Sequence, residues 1–266
     1  MRLMIKSASR NPWDLGRAYY SGISFSVTAK DTAPMGITFK NDGTKMYIVG
    51  NDSDSVHEYN LSTAWDISTS SFLQSFDVST QDTGPADITF KTDGTKVFIV
   101  GLQNDSVYEY ALSTAWGISS ASFTQSFDVS PQGDDHTGFA FKSDGTKMFT
   151  MESTSSVSKV VEYALSTAWD ISSASFTQTF TTGGQDTNPT SVNFSSSGKK
   201  MFVLGGASKK IYEYFLSTAW DISTSVLGRS FSVAISGAGP LGSVFNSDGT
   251  KIYVAQNNGT IYQYVI

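Results

Sequence analysis

The chain has 266 residues, 39% of them hydrophobic, 13% aromatic and only 16% charged, and its formal net charge is −6. That composition supplies one sizeable core and no disordered tail, while an acidic balance without any basic stripe excludes nucleic acid as a partner. Cysteine is absent, which excludes disulfides, thiolate chemistry and Cys-based zinc sites, and no run of 18 apolar residues marks a membrane span or an inserted segment.

In chain order, Met1 to Ser9 is too short and too interrupted by Arg2 and Lys6 to be a signal peptide, and it is expected to be a docking segment ahead of one domain over residues 10–266. Asn11-Pro12-Trp13-Asp14 and Ser24-Phe25-Ser26-Val27 match parts of a cassette that first appears whole from Gly36 to Val78. In that cassette Gly36–Lys40 reads as a strand, ended by the Asp42-Gly43 hairpin turn in which Gly accepts positive φ. Lys45–Val49 is a continuous apolar strand, as expected for burial on both faces. The polar loop Gly50–Ser55, a third strand Val56–Leu61, the connector Ser62–Ser68 and a fourth strand Ser71–Val78 follow.

The cassette then repeats. Asp42, Asp93, Asp144, Ser197 and Asp248 mark five copies, at steps of 51, 51, 53 and 51 residues. Four antiparallel strands in about 50 residues, with no helical periodicity, describe a β-propeller blade. The expected fold is therefore all-β: a five-bladed β-propeller. The chain ends at Ile266, after the third strand of the fifth copy, so the N-terminal strand is expected to complete the last blade and close the ring.

Agreement among copies reports what a blade needs. Trp65, Trp116, Trp169 and Trp220, with Trp13 as a partial copy, are expected to plug the spaces between blades. Lys45, Lys96, Lys147, Lys200 and Lys251 face Glu58, Glu109, Glu162, Glu213 and Gln263 as diagonal cross-strand neighbours, expected to be structural. In a propeller the A–B hairpins and C–D connectors share one face, which here is nearly uniform. The B–C loops and D-to-A crossings share the other, which varies, and binding is expected there.

Three crossings carry Asp-Thr-x-Pro: Asp31-Thr32, Asp82-Thr83 and Asp186-Thr187 open them. One reading is that each Asp caps its own turn. The other is a ring of carboxylates and hydroxyls at the channel mouth, able to hold a cation, water or a sugar's hydroxyls; a channel cation is the one cofactor this leaves open. Asp134, Asp135 and His136 break the symmetry in blade three, and Asp87 opens an inner strand where other copies have Gly or Ser. These ten residues are the expected ligand-binding set.

No catalytic constellation is legible. His57 and His136 are the two histidines; His57 occupies a strand position held elsewhere by Tyr108, Val161, Tyr212 and Tyr262, and no nucleophile elbow, phosphate loop or EF-hand is present. Glycoside hydrolysis needs two carboxylates at a set separation, which Asp87 with Asp82 or Asp135 would supply.

Phe39 to Val49 resembles the strand-turn-strand core of YVTN-type propeller repeats, and Glu58 to Ser68 is similar to tandem repeats in structural proteins of marine bacteriophages and in bacterial surface proteins. The resemblance implies a non-enzymatic virion component of a capsid, tail or fibre, assembled in the host cytoplasm, with a location at the cell surface as the alternative. Its implied partners are other virion proteins or a cell-surface glycan, and oligomerisation is left open. Nothing matches a lactonase site of the seven-bladed YVTN-like enzymes. A lectin-like glycan binder, by analogy with five-bladed lectins of the tachylectin kind, and a glycosidase on channel carboxylates are the alternative readings.

Overall fold

The computed structural model describes residues 11–154, 158–182, 184–235 and 237–266; the expected docking segment Met1 to Ser9 lies outside them. Twenty strands form five four-stranded antiparallel sheets. Blade one is β2 (Pro34–Phe39), β3 (Lys45–Gly50), β4 (Ser55–Leu61) and β5 (Ser70–Asp77). Blade two is β6 (Pro85–Phe90), β7 (Lys96–Gly101), β8 (Ser106–Leu112) and β9 (Ala121–Asp128). Blade three is β10 (His136–Phe141), β11 (Lys147–Ser153), β12 (Ser158–Leu165) and β13 (Ala174–Thr181). Blade four is β14 (Pro189–Phe194), β15 (Lys200–Gly205), β16 (Lys210–Leu216) and β17 (Ser225–Ser232). Blade five joins β18 (Pro240–Phe245), β19 (Lys251–Gln256) and β20 (Thr260–Val265) to β1 (Tyr19–Ser26) from the other end of the chain.

The closure expected from the repeat phase is present: Tyr19 pairs with Val265 and Ser26 with Thr260. An irregularity between Tyr20 and Ile23 accommodates two extra residues of β1 there. Each strand pair within a blade is antiparallel, and the second strands are buried throughout, Met46, Tyr47, Ile48 and Val49 being inaccessible. The core is thus divided into five apolar clusters, each spanning two adjacent blades. Neighbouring blades hold one another through burial of these faces, and a single blade has no core of its own.

The C–D connector carries a short 3-10 turn in each blade, such as Ile67–Thr69, Ile118–Ser120 and Ile171–Ser173. The residue before it is an Asp in blades one, three, four and five, and its side chain accepts the amide two residues on, as Asp66 does from Ser68 at 3.0 Å. The connector Trp lies in the left-handed region in every blade, φ being 63° at Trp65 and 64° at Trp116. That conformation is costly for a bulky residue and is held from both sides. The Trp116 amide donates to the Gly94 carbonyl at 2.9 Å, and the Trp116 carbonyl accepts from the Tyr47 hydroxyl of blade one at 2.6 Å. Lys96, Lys147, Lys200 and Lys251 each donate to the Trp carbonyl of the following blade, at 2.6–2.9 Å. The same lysines in blades two to four pair with Glu109, Glu162 and Glu213, at 2.6–2.7 Å. Those glutamates are buried, so what the sequence presents as cross-strand charge pairs are half-buried latches between strands and between blades.

Candidate functional site

The Asp-Thr-x-Pro crossings are latches. Asp31 accepts the Ala33 amide at 2.7 Å through one oxygen; through the other it accepts the Ser53 amide at 2.9 Å and the Ser53 hydroxyl at 2.6 Å. Asp82 accepts from the amides of Gly84 at 2.8 Å and Asn104 at 3.1 Å, and Asp186 from those of Asn188 at 2.8 Å and Ser208 at 2.6 Å. Each carboxylate therefore caps its own turn and also fixes the adjoining B–C loop. All three are buried. Thr32, Thr83 and Thr187 are exposed beside them, Thr32 donating to Asp52.

The carboxylate needs room, which a glycine at the end of the second strand provides. A Cβ on Gly50, Gly101 or Gly205 would lie 2.0, 2.3 or 2.2 Å from the nearest oxygen or carbon of Asp31, Asp82 or Asp186. Blades three and five exchange the two partners. Gly133 and Gly237 stand in the Asp position, and Glu152 and Gln256 stand in the Gly position. A Cβ on Gly133 would meet the Glu152 side chain at 2.7 Å, and Gln256 donates to the Val233 carbonyl at 3.0 Å. The same space is filled from the opposite strand. This exchange was missed from the sequence, although lining up the five copies exposes it as a covarying pair.

Blade three differs from its expected form. His136 replaces the crossing Pro, is fully buried opposite Glu152, and contacts the Gly133 carbonyl through Nε2 at 2.9 Å. Burial pushes its pKa down. Asp134 and Asp135 are exposed while the imidazole is not, so the three do not form one open cluster. His57 is also a packed strand residue, with Nδ1 2.8 Å from Ser75 Oγ and Nε2 2.9 Å from Ser53 Oγ. The carboxylate of Asp31 bonds the serine rather than Nδ1 of the ring, the reverse of the order a serine nucleophile relay requires.

On the propeller axis the five inner strands enclose a cavity of about 200 Å³. Residues of the inner strands, with Trp13 and Trp220 of the connectors, line it; no residue of a D-to-A crossing or a B–C loop does. It therefore occupies the part of the channel toward the uniform face. Asp87 is its one ionisable lining residue among those described. Its Oδ1 accepts the Ile88 amide and its Oδ2 the Phe139 amide of the next blade, both at 2.9 Å. Burial nevertheless pushes its pKa up to about 7. Asn193 and Ser243 lie elsewhere on the wall, Asn193 donating to the Ser243 carbonyl at 3.0 Å. Of the expected residues, Asp87 alone reaches the cavity; Asp82 and Asp135, its expected partners for a carboxylate pair, do not line it. Among the described residues no group of three His, Asp or Glu side chains is arranged to hold a metal ion.

No protein-family model matches the chain, and no curated protein matches it in sequence. Among solved structures it is similar to a Lactobacillus plantarum protein, with TM-score 0.50 and 16% identity over 84% of this chain and 64% of that one. It is also similar to Sqt1 from Chaetomium thermophilum, with TM-score 0.49 and 15% identity over 88% and 60%. A candidate 6-phosphogluconolactonase from Bacteroides fragilis gives TM-score 0.48 and 16% identity over 77% and 55%. The chain spans less than two thirds of the length of each, and at these identities the likeness concerns the propeller scaffold.

Proposed function

We propose that the chain is a non-catalytic display and binding disc, an accessory component of a bacteriophage capsid, tail or fibre that offers its variable loop face to solvent or to the host surface. One observation carries the reading: the two faces are tied to the same rigid blades, yet one is built nearly alike five times while the other carries a B–C loop of different sequence in every blade. The latching carboxylates support it, because they hold B–C loops of different sequence on a common frame. Attachment within an assembly is supported by the outer strands, which leave Tyr20, Phe72, Phe123, Phe176 and Leu227 exposed at the equivalent position of each blade, with Tyr19, Leu73 and Val226 beside them. The likeness of the Glu58 to Ser68 connector to phage structural repeats supports the particle setting.

The test is electron microscopy of purified particles carrying an epitope on the loop between β7 and β8. Label is expected at regular positions on the particle surface. Recovery of the protein solely as free discs, with unlabelled particles, overturns the proposal.

A further inference from the structure

The fold does not need a carboxylate at position 87. The equivalent residues of the other inner strands are Gly36, Gly138, Ser191 and Gly242, and those blades form the same sheets with the same register. Asp87 is also held away from water, and no neighbouring charge contributes to its displaced pKa. Without a countercharge it is held by two backbone amides and takes up a proton as pH falls through about 7, whereas a cation in the cavity would keep it ionised.

We infer that the axial cavity is a binding site for a small organic ammonium ion, whose charged head pairs with the Asp87 carboxylate and whose short carbon body lies against the apolar part of the wall. Three features select this class. No cationic side chain lines the cavity among the described residues, so the ligand itself supplies the positive charge. The wall beyond Asp87 also includes apolar residues, among them Ile37, Ile88, Ala140 and Val244, against which a short alkyl chain can rest. A calcium-like ion gathers six to eight oxygens, usually from several carboxylates, and a neutral sugar leaves the anion unpaired. The volume equals about seven water molecules at ~30 Å³ each, which fits an alkylammonium of a few carbons and excludes a nucleotide or peptide. The site stands apart from the loop-face reading: a disc with no particle partner retains the cavity.

The test is calorimetric titration of the full chain with n-butylammonium, with n-butanol, glucose and calcium as counter-probes, and indole fluorescence from Trp13 and Trp220 as a second readout. Saturable binding of n-butylammonium below ~10 mM is expected, at least tenfold tighter than n-butanol. Because the carboxylate form binds, and its pKa is about 7, affinity should fall about tenfold from pH 8 to pH 6. Asp87→Ser, which installs the blade-four residue, and Asp87→Asn should each weaken binding at least tenfold while near-ultraviolet circular dichroism stays unchanged. The inference is overturned by absence of saturation with n-butylammonium, by equal affinity for n-butanol, by preference for glucose or calcium, or by a flat pH profile. The comparison of probes and the pH series use the unaltered protein, so they decide the matter even if a variant fails to fold.

Discussion

Blade two lacks an aspartate that its siblings use. Gly117 precedes the 3-10 turn at Ile118–Ser120 with no side-chain cap, where Asp66, Asp170 and Asp221 each cap theirs. In blades two and three the outer-strand Gln125 and Gln178 also donate to the capping Asp of the next blade at 2.9 Å, a bond that Gln74 of blade one cannot make to Gly117. Gly117 has φ −107° and an added Cβ would meet its nearest neighbour at 3.4 Å, so an L side chain fits. Gly117→Asp should stabilise the protein by ~1 kcal/mol in urea unfolding, a few tenths from the cap itself, because Gly is a tolerated residue there, and the rest from the bond that Gln74 can then donate; no gain would mean that the turn is already satisfied by water. Asp87 works in the other direction. Its folded pKa of about 7 lies above the ordinary carboxylate value, so the proton it keeps favours the fold fully below about pH 4 and that contribution is lost as pH rises through 7. The stability difference between Asp87→Ser and the unaltered protein should therefore grow in favour of the variant between pH 4 and pH 8, by on the order of 4 kcal/mol. Thermal melts at a series of pH values measure it, and a difference independent of pH would show that Asp87 is not held in a desolvated state.

Between a crossing and the end of a second strand, side-chain volume is conserved while its origin changes. Glu at position 101 would collide with Asp82, since a Cβ there lies 2.3 Å from the carboxylate, and Asp82→Gly alone strips the latch from the amides of Gly84 and Asn104. Each single change should cost ~1–3 kcal/mol. The double variant Asp82→Gly/Gly101→Glu recreates the blade-three arrangement and should recover at least ~1 kcal/mol of the summed loss in a double-mutant cycle; additive losses would refute the exchange. Strands themselves are legible in the sequence because alternation and Asp-Gly turns are local signals: the pattern marks Lys45–Val49 where Lys45–Gly50 forms, and Ser71–Val78 where Ser70–Asp77 forms. The exchange was hidden because it joins two residues on different elements, about 20 positions apart, neither of which is unusual alone. Likewise Asp87 stood out by its difference from Gly36, but its separation from Asp82 did not, since that depends on how five strands splay around an axis. The short 3-10 turns were not anticipated either, being too brief to carry a periodic signal.

At the scale of the disc, the ring is secured by one strand pair. The β1–β20 register covers what would otherwise be an open sheet edge in blade five, and Trp13, on the same segment, packs against Phe245 at 5.0 Å and accepts from Lys200 of blade four at 2.6 Å. Removing residues 1–27 should expose both the edge and the apolar cluster beneath it. The truncated chain is expected to elute as oligomers in size-exclusion chromatography and to melt at lower temperature; a monomer with unchanged melting would show that the remaining nineteen strands suffice.

The pairing has a further consequence during synthesis. Ser21 bonds the Gln263 carbonyl, 242 residues along the chain. A ribosome adding ~5–20 residues per second needs roughly ten to fifty seconds to traverse that distance. Throughout that interval β1 has no mate, while the cassettes behind it emerge one after another. Whatever holds that orphan segment in the nascent chain, be it a chaperone or a neighbouring translation product, sets how often the polypeptide matures into a closed disc rather than exchanging strands with its twin.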